Sequence, residues 1–437
     1  MTVRTLPFWL LVGPLLALLL WPYQALSELG FQLQRLLWLH PQANRSAGAA
    51  QVFVASALLI ALAWGPLAAG RGGGVPPLLA LDRAPQPVAA EAESRWLGQL
   101  GLACQLQRLP LMMLTHLGGL TVGVESPSVA LGASVLLAIR GRWPGLRPLA
   151  CLSPRLVAVI GGAAGLGAAF RSPLLAVTYG LEELGQCMGL PLVVPALLLA
   201  GSATLLATTM GQPARLPGLE LGSLAPQLWG WAALLTLVGA AGGALLVRLT
   251  ILAAAWTRRL LSRRRLVGSL LLAGLLTLLA LLSSGLSLND GSLSLAAALA
   301  GQDPGEPLTL LWRLLATVLS LAVGAPGGLM HDSMSLGALL IGPLQGVPAM
   351  DSTALAQLAA VAATALFAST NGTPLFCAAF VFTLQGDAAL LPLLLAVSAV
   401  SAALGERWRG VSWNGHQAQV LLDQAPTLPS SASNPSP

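Results

Sequence analysis

The chain has 437 residues, of which 55% are apolar and 9% charged. A soluble globular protein carries about 25% charged residues, so polar side chains are too few here to cover a water-soluble fold. The mean hydropathy of +0.77 points to a polytopic membrane protein. The net charge of +6 comes from 22 basic residues, all of them arginine. They sit in short groups between apolar runs, not on one soluble face, which argues against a nucleic-acid partner. The densest groups, Arg140–Arg147 and Arg258–Arg265, read as cytoplasmic ends under the positive-inside rule.

Residues 7–22 form an apolar run after Arg4. It continues through Trp21, Pro22, Tyr23 and Glu28 without a small-residue cleavage site, so it reads as a retained first membrane helix. Helical spans are expected at about 50–68, 101–122, 127–140, 150–185, 189–210, 226–256, 266–284, 307–324, 333–345, 355–369 and 374–404. A perpendicular crossing takes ~20 apolar residues. Several spans fall short of that, and Gly or Pro interrupts the chain at Gly72–Pro77, Gly123–Pro127, Arg171–Pro173, Gly324–Gly328 and Asn371–Pro374. Irregular backbone survives in a bilayer only inside protein or along a polar cavity. The breaks therefore predict half-helices that meet near the midplane.

The chain also repeats. Leu131-Gly132 maps to Leu336-Gly337 and Pro173 to Pro374, each about 200 residues on. Two halves with breaks at matching places point to a transporter with its site at the repeat interface. The expected fold class is all-α, with two inverted-topology repeats at about 50–210 and 226–404 and broken, re-entrant helices. One transmembrane domain over 1–424 is expected, then a disordered Pro/Ser-rich tail at 425–437. Residues 82–95 read as a linker and 285–306 as an external or peripheral loop. Cys104, Cys151, Cys187 and Cys377 show no metal or disulfide spacing and read as small packing residues.

Glu125 is the most informative position, a carboxylate between Gly123 and Pro127 at the start of an apolar run. An intramembrane acid is a functional candidate by default; it is also a plain acidic N-cap. The two readings agree, because a helix start that holds a carboxylate offers its N–H groups to another anion. Glu125 is then both gate and proton carrier. Gly72-Gly-Gly-Val-Pro76 and Gly327-Gly-Leu-Met330 are glycine-rich turns whose bare backbone suits close approach of an ion. Glu182 and Glu183 end an apolar stretch, where a solvated helix end is an equal reading. Arg171 lies inside that stretch and is expected to snorkel or pair.

These segments resemble the CLC chloride channels and transporters. Gly72–Pro76 is similar to the loop GSGIP, Gly123-Val-Glu-Ser-Pro127 to GREGP, Ala163–Ala176 with Leu181-Glu-Glu-Leu184 to AAGLAAAFNAPLAG…EEM, and Gly324–Met330 to GAPGGIF, in that order. The resemblance implies a homodimer in the lipid bilayer, one anion pathway per subunit, bound chloride, no other cofactor, no metal and no enzymatic activity. It makes Glu125 the external gating glutamate and Glu183 the internal proton-transfer glutamate. It makes Gly72, Gly73, Gly74, Val75, Val124, Ser126, Leu329, Met330 and His331 backbone anion ligands. Trp413 is the nearest counterpart of the family's C-terminal Tyr. Three residues depart from the pattern: Gly73 replaces Ser, Met330 an aromatic, and Asp332 a Pro. An acid at 332 would repel an anion, pair with a cation or point away. The implied function is chloride/proton exchange, with a passive anion channel or a non-transporting membrane scaffold as alternatives. An intramembrane hydrolase lacks any Ser–His or paired-Asp spacing. The implied location is the cell inner membrane.

Overall fold

The computed structural model describes residues 5–84, 89–185, 189–212, 221–303, 307–347 and 350–425. Cys187 and nearly all of the expected tail lie outside the described residues. Among the described residues the regular elements are helices, and the one β-type pairing is a two-way bridge between Gly123 and Gly328. Among the described residues seven helices are long and apolar enough to cross a membrane: Leu6–Leu39, Arg45–Ala63, Leu190–Thr209, Pro226–Arg263, Arg265–Leu282, Ser352–Asn371 and Leu391–Arg409. All but one leave more than half of their apolar window unburied, as lipid-facing helices do. Ser352–Asn371 is different, with 94% of its window buried, and it forms the central post of the bundle. The chain is an all-α, multi-pass membrane protein.

The first helix runs on past residue 22, through Pro14 and Pro22, to Gln34. It packs Trp9, Leu16 and Leu20 inward and crosses the Leu190–Thr209 helix at Gly13, where an added Cβ would stand 2.3 Å from the Leu199 carbonyl. Glycine is required there by close approach.

The expected breaks exist, and three expected spans are corrected by them. The stretch 150–185 divides into Pro154–Phe170, Pro173–Tyr179 and a wide turn at Gly180–Leu184. Arg171 ends the first piece in the left-handed region, φ 51°, and Pro173 starts the second. The stretch 374–404 divides into Pro374–Gln385 and Leu391–Arg409, and the span at 333–345 begins earlier, at Met330, and tightens after Ala338. The 82–95 stretch is not all linker: the Pro76–Arg83 helix enters it and Ala90–Gln99 begins within it. The 285–306 stretch is not peripheral either. Asn289 and Asp290 are buried, Asn289 donates to Gln34 Oε1 at 2.8 Å, and Ser292–Leu299 is helical. The packing role read for the cysteines fits Cys377; Cys104 is half-buried and Cys151 exposed.

Packing repeats with the sequence. The Glu125–Arg142 helix presses Gly132 against the carbonyl of Gly161 on Pro154–Phe170, where a Cβ would come to 2.1 Å; the Met330–Ala338 helix presses Gly337 against Ala362 on Ser352–Asn371, where it would come to 2.4 Å. The two short proline-started helices pack on each other, Tyr179 on Phe376 with ring centroids 4.9 Å apart. The Glu125–Arg142 and Pro154–Phe170 helices form an antiparallel pair closed by Arg140, which donates to the carbonyls of Leu149 and Leu152.

Candidate functional site

Three helices start close together without a side-chain cap: Pro76–Arg83 after Val75, Glu125–Arg142 after Val124, and Met330–Ala338 after Leu329. A helix start carries partial positive charge and leaves its first N–H groups without intrahelical partners; Pro76 and Pro77 have no N–H, so the Pro76–Arg83 start offers its dipole and the N–H groups of the preceding loop. Backbone contacts tie the three starts to one point. The Gly72 N–H donates to Gly324 O at 3.0 Å; Gly123 N–H donates to Gly328 O at 3.2 Å and Gly328 N–H to Gly123 O at 2.8 Å.

Side chains at two positions of the first loop would not fit. A Cβ on Gly73 would stand 2.3 Å from the Ser126 Cβ and 2.8 Å from Gly327 O. Gly74 has φ +84°, and its Cβ would meet the Arg108 guanidinium and Ala130. The loop is fixed from behind by Arg108, which is buried and donates Nε–H to Gly72 O at 3.1 Å and Nη1–H to Gln105 Oε1. Gln105 in turn donates to Ser134 Oγ at 2.8 Å. Sequence reasoning missed Arg108, although it carries the only formal charge in the apolar run 101–122.

Glu125 is wholly buried at this meeting point. Its Oε1 accepts the His331 backbone N–H at 3.1 Å and lies 2.5 Å from His331 Nδ1. Its Oε2 is buried without a hydrogen-bond partner, close to Gly123 and Gly328. His331 stacks on Phe170, centroids 5.4 Å apart at 24°, and stands edge-on to Phe380 at 5.4 Å and 82°. Val75, Val124, Ser126, Leu329 and Met330 are all buried around the same place.

Asp332 does not face this seat as a bare charge. Its Oδ1 accepts from Arg313 Nη2 at 3.0 Å, with both side chains fully buried. Arg313 also donates to the carbonyls of Asn289 at 2.6 Å and Leu286 at 3.2 Å. Of the three possibilities open for Asp332, pairing with a cation is the one found.

Glu183 is buried on the wide turn, 3.9 Å from Arg83 Nη2, so the solvated-end reading does not hold for it. Glu182 accepts the N–H groups of Leu375 at 2.9 Å and Phe376 at 2.6 Å, capping the Pro374–Gln385 helix. Tyr179 lies within electrostatic reach of both Glu125 and Glu183, and its buried hydroxyl has no hydrogen-bond partner. It too was missed from sequence, where one hydroxyl in an apolar run gives no signal. Trp413 starts the Trp413–Asp423 helix, which packs along Pro76–Arg83. Its ring joins the apolar cluster that contains Val122, Leu329 and Leu336.

The sequence matches the family profile described as voltage gated chloride channel over residues 87–406. The match omits the Gly72–Val75 loop and Trp413. Three solved structures share the fold, each at 20% identity. A slow cyanobacterial Cl⁻/H⁺ antiporter aligns over 97% of this chain and 99% of its own, with a TM-score of 0.75. A CLC-type fluoride/proton antiporter aligns over 95% and 99%, at 0.70. A eukaryotic CLC transporter aligns over 96% and 74%, at 0.69. No curated protein matches significantly.

Proposed function

Because the chain belongs to the voltage-gated chloride channel family, we propose that it exchanges a small anion, chloride first, for protons across the membrane. The observation that carries the reading is the seat of Glu125: a buried carboxylate on the His331 N–H, among three uncapped helix starts. Backbone donors that hold a carboxylate suit a chloride of the same charge. The two compete for one place, and the carboxylate leaves it neutral, with a proton. Anion and proton movement are coupled by that competition.

The remaining roles follow from the same reading. Val124, Ser126, Leu329, Met330 and His331 supply N–H groups to the outer position, and the Gly72–Val75 loop lines the inner one. Gly73 carries no hydroxyl, but Ser126 fills the space beside it, so a hydroxyl comes from the second loop instead. Trp413 closes the inner side. Glu183, buried beside Arg83, passes protons to the end of the bundle to which the Arg140–Arg147 turn belongs, and that arginine-rich end faces the cytoplasm. Burial of Glu183 favours exchange over a passive channel, because a conducting pore has no use for a buried second acid. We place the protein in the inner membrane as a homodimer with one pathway per subunit.

The test is reconstitution in liposomes with chloride efflux and pH recorded together. The parent drives protons uphill against a chloride gradient, and Glu125→Gln moves chloride without protons. Normal proton antiport in Glu125→Gln would remove Glu125 from the mechanism, and chloride flux without proton movement in the parent would make the protein a channel.

A further inference from the structure

We propose that the imidazole of His331 is a positioning residue for the gate: it holds the Glu125 carboxylate in its seat and shares the proton on which release depends. This rests on Glu125 being the gate. A helix start needs only backbone to hold a carboxylate, and the His331 N–H already does so at 3.1 Å. The ring adds a second contact to the same Oε1, at 2.5 Å from Nδ1. Phe170 and Phe380 pack the ring from two sides with hydrocarbon side chains, so they fix its plane with Nδ1 toward Glu125.

Among the described residues, the charged and titratable groups around the pair are few. Glu125 comes from its own helix. Asp332 lies on the His331 helix but is engaged by Arg313 from Pro307–Ala322. His116 from Leu102–Leu117 and Asp290 are within electrostatic reach, His116 of Glu125 and Asp290 of His116 and Asp332. Tyr179 approaches from Pro173–Tyr179. The central helix Ser352–Asn371 and the Pro374–Gln385 helix bring the aromatic rings Phe367 and Phe380 to this cluster.

The proton balance follows. With neutral His331, Nδ1–H donates to the ionised carboxylate. The next proton has two places to go. On the ring it makes an imidazolium–carboxylate pair and tightens the hold; on Oε1 or Oε2 it neutralises Glu125 and frees it. The ring and the carboxyl therefore compete for the releasing proton across the contact they share.

The experiment uses the full chain in liposomes, with chloride and proton flux measured from about pH 4.5 to 8, a range that spans the ordinary carboxyl and imidazole values. In His331→Ala the hold loses a charge-assisted hydrogen bond, so chloride exchange at pH 7 rises roughly 10- to 100-fold, and the pH profile of the flux moves up. Proton coupling persists because Glu125 remains. His331→Asn keeps an amide donor near Nδ1 but cannot take a proton; it restores slow exchange, with the pH profile of a single carboxyl group. In the Glu125→Gln background, His331→Ala changes nothing further. An unmoved pH profile in His331→Ala, or an equal shift in the Glu125→Gln background, overturns the proposal. The infrared band of protonated Glu125, assigned by its loss in Glu125→Gln, tests the pairing without transport: it appears at higher pH in His331→Ala, or the pairing is wrong. Retained proton antiport in Glu125→Gln would overturn the gate assignment instead, so the two failures are separable.

Discussion

Gly328→Ala tests the seat by steric means alone. The added methyl would stand 2.7 Å from Glu125 Oε2 and 3.0 Å from Ser126 Oγ, against 3.4 Å for ordinary contact. Its backbone is not in the left-handed region, so the substitution itself is unstrained. The nearest obstacle is the end of a movable side chain, which gives way by about 0.7 Å. A displacement of that size strains the 3.1 Å contact from the His331 N–H to the same carboxyl, and a contact drawn past about 3.5 Å is no longer a hydrogen bond. Losing one hydrogen bond to a charged group costs ~1.5–3 kcal/mol, a drop of roughly 10- to 100-fold in the ratio of seated to released glutamate. Chloride efflux from liposomes at pH 7 therefore rises by about that factor, proton coupling persists because Glu125 remains, and the thermal midpoint stays near the parent's. Unchanged efflux in a protein of unchanged thermal midpoint would refute the account of the seat.

Other consequences are open to stability measurements in detergent. Arg313→Met strands a buried carboxylate at Asp332 and costs ~3–5 kcal/mol, while Arg313→Met with Asp332→Leu recovers most of the loss; a double variant as unstable as the single one would contradict the pairing. Gly161→Ala sets a Cβ 2.4 Å from the Gly132 carbonyl, where only backbone can yield, and lowers stability by ~1–3 kcal/mol. Gly274→Ala, in a helix with open space around it, is neutral or gains up to about 1 kcal/mol; equal effects at the two sites would count against close packing at the crossing. Asp387 accepts N–H groups from Ala389, Leu221 and Gly222, and these, Ala389 foremost, hold its carboxyl below the ordinary range. A depressed value stabilises the fold above the unfolded pKa of ~3.9 and is lost as pH falls through the folded one. Asp387→Asn thus melts lower than the parent at pH 7, and the gap closes as pH falls through the folded-state value; a gap that stays constant into strong acid would exclude an electrostatic cause.

The breaks were legible because they are written in residues with few backbone options. Pro173 and Pro374 suit the first turn of a helix, and the clustered glycines at 72–74 and 327–328 suit turns. The equivalence of Gly132 and Gly337 was legible because close helix crossing needs glycine in both halves. Glu125 stood out because burying a carboxylate needs a reason. What stayed hidden was pairing across long sequence separation. Nothing in His331-Asp332 says that one side chain turns to Glu125 and the other to Arg313, since adjacent helical residues diverge by about 100° and the partners lie on other helices. The stretch 285–306 misled for a related reason. Its Ser, Asn and Asp residues look solvated in composition, but buried Arg313 and Gln34 use its polar groups as partners. The helix Trp413–Asp423 was missed because its mixed composition carries no clear apolar period.

The reciprocal bridge between Gly123 and Gly328 joins matching loops of the two halves by two hydrogen bonds at the centre of the molecule. A rocking transporter opens a cleft along the seam between its halves, and here that seam is stitched. Pulling it apart would break both bonds and unseat the Glu125–His331 contact beside them. Two bonds across the seam thus suit the scaffold to keeping its halves together along this line.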